Sequence, residues 1–260
     1  MFGSTGIAYE LQENYIKKNI EEGFRGYKTI RYKDKVYTIG GLLYGDFQDI
    51  VFGQIKDSNS VFYVNNIPVP TGFFTSVIFN GFIYVLGGID DSWITSKVHR
   101  AKLNLDGSIE RWKTVGDLPF PMAHMCSFIY KNKVYIVGGA NISGESSMVF
   151  STRDLTDNYS WKQVGNIPIY LIDAGCVVVN DTLYILGGKS KDKYNKSVFK
   201  CNIVSGKLEN WTEDTSLPFN VINPEVLFED NIIKVLTANK HLEGHFNKDG
   251  TLDWVTKKVV

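Results

Sequence analysis

Lys133-Val134-Tyr135-Ile136-Val137-Gly138-Gly139 is the stretch on which the fold turns, because it is not alone. KVYTIGG ends at Gly41, FIYVLGG at Gly88 and TLYILGG at Gly188, and a fifth copy, IIKVLTA, ends at Ala238 with Thr-Ala in place of the diglycine. Successive copies lie 47, 51, 49 and 50 residues apart. A fixed period in this range marks a repeat architecture, in which each unit is one supersecondary motif that cannot bury its apolar faces alone.

Working outward, each copy has the same four parts. An apolar run comes first (TSVIFN, CSFIYK, GCVVVN, EVLFED), then a polar two-residue turn at Asn80-Gly81, Asn132-Lys133, Asp181-Thr182 or Asp230-Asn231. The Gly-Gly strand and a polar loop follow, and then a third strand such as SKVHRAKLN or KSVFKCNIV. The fourth strand is marked by Trp112, Trp161, Trp211 or Trp254, and three of these lead on to Pro119, Pro168 and Pro218. In the first copy Phe62 or Tyr63 takes the tryptophan place before Pro68. Four antiparallel strands per repeat of about 50 residues make one propeller blade. The expected fold is therefore all-β, a five-bladed β-propeller over residues 26–260. The diglycine lets two backbones approach closely where strand meets loop. The tryptophan fills the wedge between blades. The fifth blade, lacking the diglycine, is expected to be the least regular. Residues 1–25 read either as ring-closing strands, with Tyr15 at the tryptophan place, or as an amphipathic helix over 11–22. Contributing an incomplete blade, they would make the count six.

Composition narrows the function. Lys+Arg and Asp+Glu are both 28, so the formal charge is zero. That balance argues against nucleic acid as a partner, since a cationic excess supplies most of that affinity. No apolar run approaches the roughly 20 residues of a membrane span, and the N-terminus has no secretory pattern, so a cytoplasmic or virion-associated protein is expected. Cys126, Cys176 and Cys201 read as buried thiols. His99, His124, His241 and His245 complete no metal-ligand spacing, although His241 and His245 would share a strand face. No cofactor or metal is expected.

The repeated GG strands, three of them followed by a tryptophan some 22–24 residues on, resemble the kelch repeat across roughly residues 26–258. LNLDGSIERW, NIVSGKLENW and FNKDGTLDW are similar to a kelch subgroup with a DG turn before the tryptophan. The resemblance implies a propeller but no single activity, since kelch propellers serve as adaptors, scaffolds, oxidases and sugar isomerases.

In such a blade the loop after the second strand and the inter-blade segment emerge at the same end, where a ligand would bind. These loops are 42–49, 89–96, 140–147 and 189–196, and they are expected to vary most in length and chemistry. Tyr44, Trp93 and Tyr194 place one aromatic in each of three of them, and Asp46, Asp90, Asp91, Asn141, Glu145 and Asn195 add carboxylates and amides. Flat rings with polar neighbours suit a glycan or a protein partner. None of the loops contains arginine, and Arg100, Arg111 and Arg153 fall on outer strands or their ends. The acidic-peptide adaptors and sialic acid mutarotases among kelch propellers are expected to use arginine for carboxylate recognition. His124 is the one plausible general base. Three readings follow: a non-catalytic binding propeller, in one form a bacterial or phage host-recognition component of the virion; a sugar mutarotase pairing His124 with Glu145 or Asp91; and an intracellular kelch scaffold.

Overall fold

The computed structural model describes residues 24–55, 61–237 and 241–257. Readings of residues 1–23 and of Ala238 lie outside the described residues. The chain is all-β, and among the described residues there is no helix. The described residues hold five four-stranded antiparallel sheets, the blades of a five-bladed propeller. Two compact units divide them, 1–123 with blades one and two and 124–260 with blades three to five.

Blade one comprises Lys28–Tyr32, Lys35–Leu43, Asp46–Ile55 and Val61–Asn66. Blade two comprises Thr75–Phe79, Phe82–Leu86, Lys97–Lys102 and Lys113–Asp117. In the second unit, blade three is Cys126–Tyr130, Lys133–Val137, Met148–Thr152 and Lys162–Asn166, and blade four is Gly175–Val179, Thr182–Leu186, Val198–Val204 and Lys207–Asp214. Blade five is Glu225–Glu229, Ile232–Leu236, His241–Phe246 and Leu252–Lys257. Every GG strand is second in its blade, as the repeat predicts.

Strand alternation explains why blades stack. Leu183 and Ile185 point to the core shared with blade three, while Tyr184 and Leu186 point to the core shared with blade five. Each sheet interior is thus apolar on both faces. Blade five departs from this. Where the other GG strands carry Tyr37, Tyr84, Tyr135 and Tyr184, it carries Lys234, ion-paired with Glu229 at 3.0 Å. Its ladder nevertheless runs without a bulge, whereas the third and fourth strands of every other blade slip by one residue. Its pairing is therefore the most regular, while it departs from the repeat as expected in its shortest connection, Leu236 pairing with His241 where Leu186 pairs with Val198.

The first glycine of each pair takes a positive φ, and a Cβ there would lie 2.4–2.5 Å from a carbonyl oxygen of the next inter-blade segment: Gly40 against Thr71, Gly138 against Leu171, Gly187 against Val221. The second glycine's N–H donates to that same carbonyl, at 2.9, 2.8 and 2.7 Å. Gly138→Ala should therefore cost about 2 kcal/mol or more, combining left-handed strain with a backbone clash. Gly250→Ala, with φ +80 but open space around it, should show only the strain. Denaturant unfolding of the two variants separates the terms.

Trp112 and Trp254 seal blade to blade. Trp112 is 4% exposed and its indole N–H donates to Asn65 Oδ1 of the preceding blade at 2.9 Å. Trp254 does the same to the Thr215 carbonyl, again 2.9 Å. Trp161 is buried, whereas Trp211 and Trp254 are half-buried, less than the repeat pattern predicts. In blade one the place belongs to Phe62 and not Tyr63. Phe62 lies over Gly53, its partner across the ladder, as Trp254 lies over Gly244. The DG turns have a matching role. Gly107 admits Tyr37 and Lys35 of blade one, whose polar tips donate to the Gly107 and Asp106 carbonyls.

Two strand turns fall one residue earlier than the sequence suggests. They are Lys131-Asn132 and Asn180-Asp181, because Tyr130 pairs with Lys133 and Val179 with Thr182. Lys131 and Asn132 both take positive φ, the geometry of a two-residue hairpin that matches strand twist.

Candidate functional site

The loops after the GG strands are ordered hairpins. Ile89–Asp90 pairs with Trp93–Ile94, Ala140–Asn141 with Gly144–Glu145, and Lys189–Ser190 with Lys193–Tyr194. In blade one the long second and third strands turn at Tyr44-Gly45. The loops of blades one to four do not differ in length, and the expected variation in length falls on blade five, where Leu236 pairs with His241 while Leu86 pairs with Val98 and Leu186 with Val198. The hairpins of blades two, three and four are each closed by the same bond, from Gly87, Gly138 or Gly187 N–H to the carbonyl of Lys97, Met148 or Ser197. Only their chemistry varies.

The hairpins of blades two and four lie at the same end of the blade as the incoming inter-blade segment, for Gly72 bridges Ile89 and Ile172 bridges Lys189. Arg25 bridges Leu42 in the same way and is exposed. An arginine therefore does stand at this end of blade one, contrary to the sequence reading. It was missed because the segment before the first GG strand has no proline marker.

Tyr44, Trp93 and Tyr194 are 67%, 69% and 62% exposed at the hairpin tips. Trp93 holds φ at +115°, where its equivalent in blade three is Gly144, also at +115°. An L residue carrying a bulky side chain rarely adopts that conformation, and it costs on the order of 1–3 kcal/mol. Asp46 and Asp91 are exposed. Asp90, Asn141 and Asn195 turn their side-chain oxygens back to accept the N–H of Ser92, Ser143 and Ser197 at 2.7–2.8 Å, so they shape the hairpins. Glu145 accepts the Lys191 N–H with both oxygens, at 2.9 and 3.1 Å, joining the hairpins of blades three and four.

His124 faces Asp173, and Glu145 accepts the Lys191 N–H. The His124 Nδ1 lies 2.9 Å from Asp173 Oδ1. The pair belongs to a series one residue per blade: Gly26 and Phe73 in the first unit, His124, Asp173 and Asn223 in the second, all with positive φ. Phe73 N–H donates to the Gly26 carbonyl at 2.7 Å, Asp173 N–H to His124 at 3.0 Å and Asn223 N–H to Asp173 at 2.7 Å. Asp173 and Asn223 were not singled out in the sequence. The available signal was their spacing from His124, which equals that of the repeat.

His241 and His245 do share a strand face, with Glu243 between them and Lys257 3.3 Å from its carboxylate. Among the described residues no three side chains form a metal-binding group, and no helix is long and apolar enough to cross a membrane. Cys126 and Cys201 are buried, and burial pushes the Cys201 thiol up to about 12.

No sequence-family profile matches the chain. Among curated proteins it is 30% identical over 104 residues to the Kelch repeat and BTB domain-containing protein 1 of horsepox virus, covering 40% of this chain and 18% of that protein. It is 24% identical over 116 residues to the Kelch-like protein terF of Aspergillus terreus (strain NIH 2624 / FGSC A1156), covering 44% of this chain and 25% of that protein. The chain thus matches a quarter or less of these relatives' length. Among solved structures, "Structure of YjhT" aligns with a TM-score of 0.66 at 16% identity, covering 90% of this chain and 79% of that one, a likeness of fold.

Proposed function

Because the chain is a kelch-repeat β-propeller, we propose that it is a non-catalytic binding propeller that holds a protein partner at the hairpin ends of its blades. One observation carries this reading. Trp93 is exposed at a hairpin tip in a backbone conformation that glycine adopts without strain at the equivalent place in blade three. An indole retained at a cost to folding, on the surface, is retained for contact. Glu145 supports the same reading, since its carboxylate is engaged with the Lys191 N–H and His124 faces Asp173.

Trp93→Gly should leave the melting temperature unchanged or raise it, while weakening partner binding by about 2 kcal/mol or more, the hot-spot scale. The check is quantitative capture from an extract of the source organism by native, Trp93→Gly and Tyr194→Ala proteins. A partner retained equally by all three would overturn the reading. A glycan array run with the same proteins tests the carbohydrate form, which the exposed rings beside Asp46 and Asp91 also suit, including host recognition by a virion component.

A further inference from the structure

The hairpins of the two compact units carry opposite charge. In the first unit, 42–49 and 89–96 contain four aspartates and no lysine or arginine. In the second, 140–147 and 189–196 contain four lysines against Glu145 and Asp192. Both of those acids are engaged, Glu145 with the Lys191 N–H and Asp192 with Lys189 Nζ at 2.9 Å. Among the described residues the side chains of Lys191, Lys193 and Lys196 are exposed and have no carboxylate partner. Asp46 and Asp91 are likewise exposed without a cation.

Each charge set surrounds exposed apolar side chains of the kind that anchor interfaces: Trp93 and Tyr44 in the first, Tyr194 and Ile142 in the second. The formal charge of the whole chain is zero, so no net repulsion keeps copies apart. The chain therefore carries both a surface and its complement.

We propose that this protein associates with a second copy of itself. The acidic hairpins of the first unit in one copy meet the lysine-bearing hairpins of the second unit in the other. The proposal rests on the reading that the hairpin ends are the binding surface, and names a partner for them.

Sedimentation velocity of the full chain tests it with two charge-reversed proteins, Lys191→Glu/Lys193→Glu and Asp46→Lys/Asp91→Lys. All four positions are exposed, and circular dichroism checks that the variants fold. The native protein should sediment as a dimer at low salt and dissociate toward monomer at about 1 M salt, where screening leaves a Debye length of about 3 Å. Each variant alone should have its dimer dissociation constant raised by about tenfold or more, and an equimolar mixture of the two should recover a dimer. A monomeric native protein, a dimer indifferent to either reversal, or a mixture that stays monomeric would overturn the proposal. If the dimer fails but Trp93→Gly still releases a captured partner, the binding-surface reading stands. If native and Trp93→Gly proteins behave alike in both experiments, both fall.

Discussion

Trp112→Ala is expected to lower the unfolding free energy by about 3–5 kcal/mol, the range for truncating a large buried aromatic. The side chain is 4% exposed and belongs to the core formed with Tyr37, Ile39, Ile83 and Val85. Its loss opens a cavity between blades one and two that the rigid ladders on either side cannot close. It also takes the indole donor from Asn65 Oδ1, while the Asn65 amide stays bound to the Ile109 and Glu110 carbonyls. An acceptor left without its donor adds about 1–3 kcal/mol of penalty, part of the same total. Trp112→Phe, which keeps most of the volume but not the N–H, should recover more than half of the loss. Trp254→Ala, at a half-buried seal, should cost less than Trp112→Ala. Chemical denaturation of the three proteins decides, and a Trp112→Ala variant that unfolds like the parent would show that the marker residue does not hold the blades together.

Acid should destabilise the protein through His99. Burial, with Lys97 beside it, holds the imidazole down to about 4, and its Nδ1 lies 2.9 Å from Thr114 Oγ1. The unfolded chain takes up this proton near pH 6.5, the folded protein only near 4. Between those values the unfolded state binds more protons, so stability falls as pH falls. The full contribution is present above about pH 6.5, and on the order of 3 kcal/mol is lost by about pH 4. Carboxylates held below their usual range against the opposing effect of burial, Asp117 by hydrogen bonds from Ser96 and Lys97 and Asp214 by hydrogen bonds from Lys200 and the backbone, add their own losses at still lower pH. The measurement is unfolding free energy against pH for native and His99→Gln proteins. The variant should lose much less stability than the parent between pH 7 and 4.5. Parallel curves would assign the acid sensitivity elsewhere.

How much of this was legible beforehand depended on whether a residue's role repeats with its type. The GG strands repeat in both, so five four-stranded blades could be counted from Gly41, Gly88, Gly139 and Gly188 plus one degenerate copy. The tryptophans were legible as inter-blade packing for the same reason. The left-handed series is the opposite case. Gly26, Phe73, His124, Asp173 and Asn223 share one backbone position and no side-chain chemistry, so no residue pattern marks them. Only the interval does. His124 was noticed as a histidine and Asp173 was not, because its partner lies one repeat away. The turn at Lys131-Asn132 was misplaced by one residue because asparagine suits either central position of a tight hairpin turn. The strain at Trp93 is a φ value, and φ is not written in the sequence. Glu145 looked like a candidate acid because the backbone N–H it receives, from Lys191, leaves no mark in composition.

The three hairpins closed by identical bonds have a practical corollary. Ile89 to Ser96, Ala140 to Ser147 and Lys189 to Lys196 are cassettes of equal length, each clamped at its base by the same glycine and the same carbonyl. Their side chains take little part in the cores that join the blades. Under the binding role proposed for these hairpins, what the protein recognises can be rewritten eight residues at a time by moving a cassette from one blade to another. Drift at the tips is then filtered by recognition, while drift at Gly138 or Trp112 is filtered by folding.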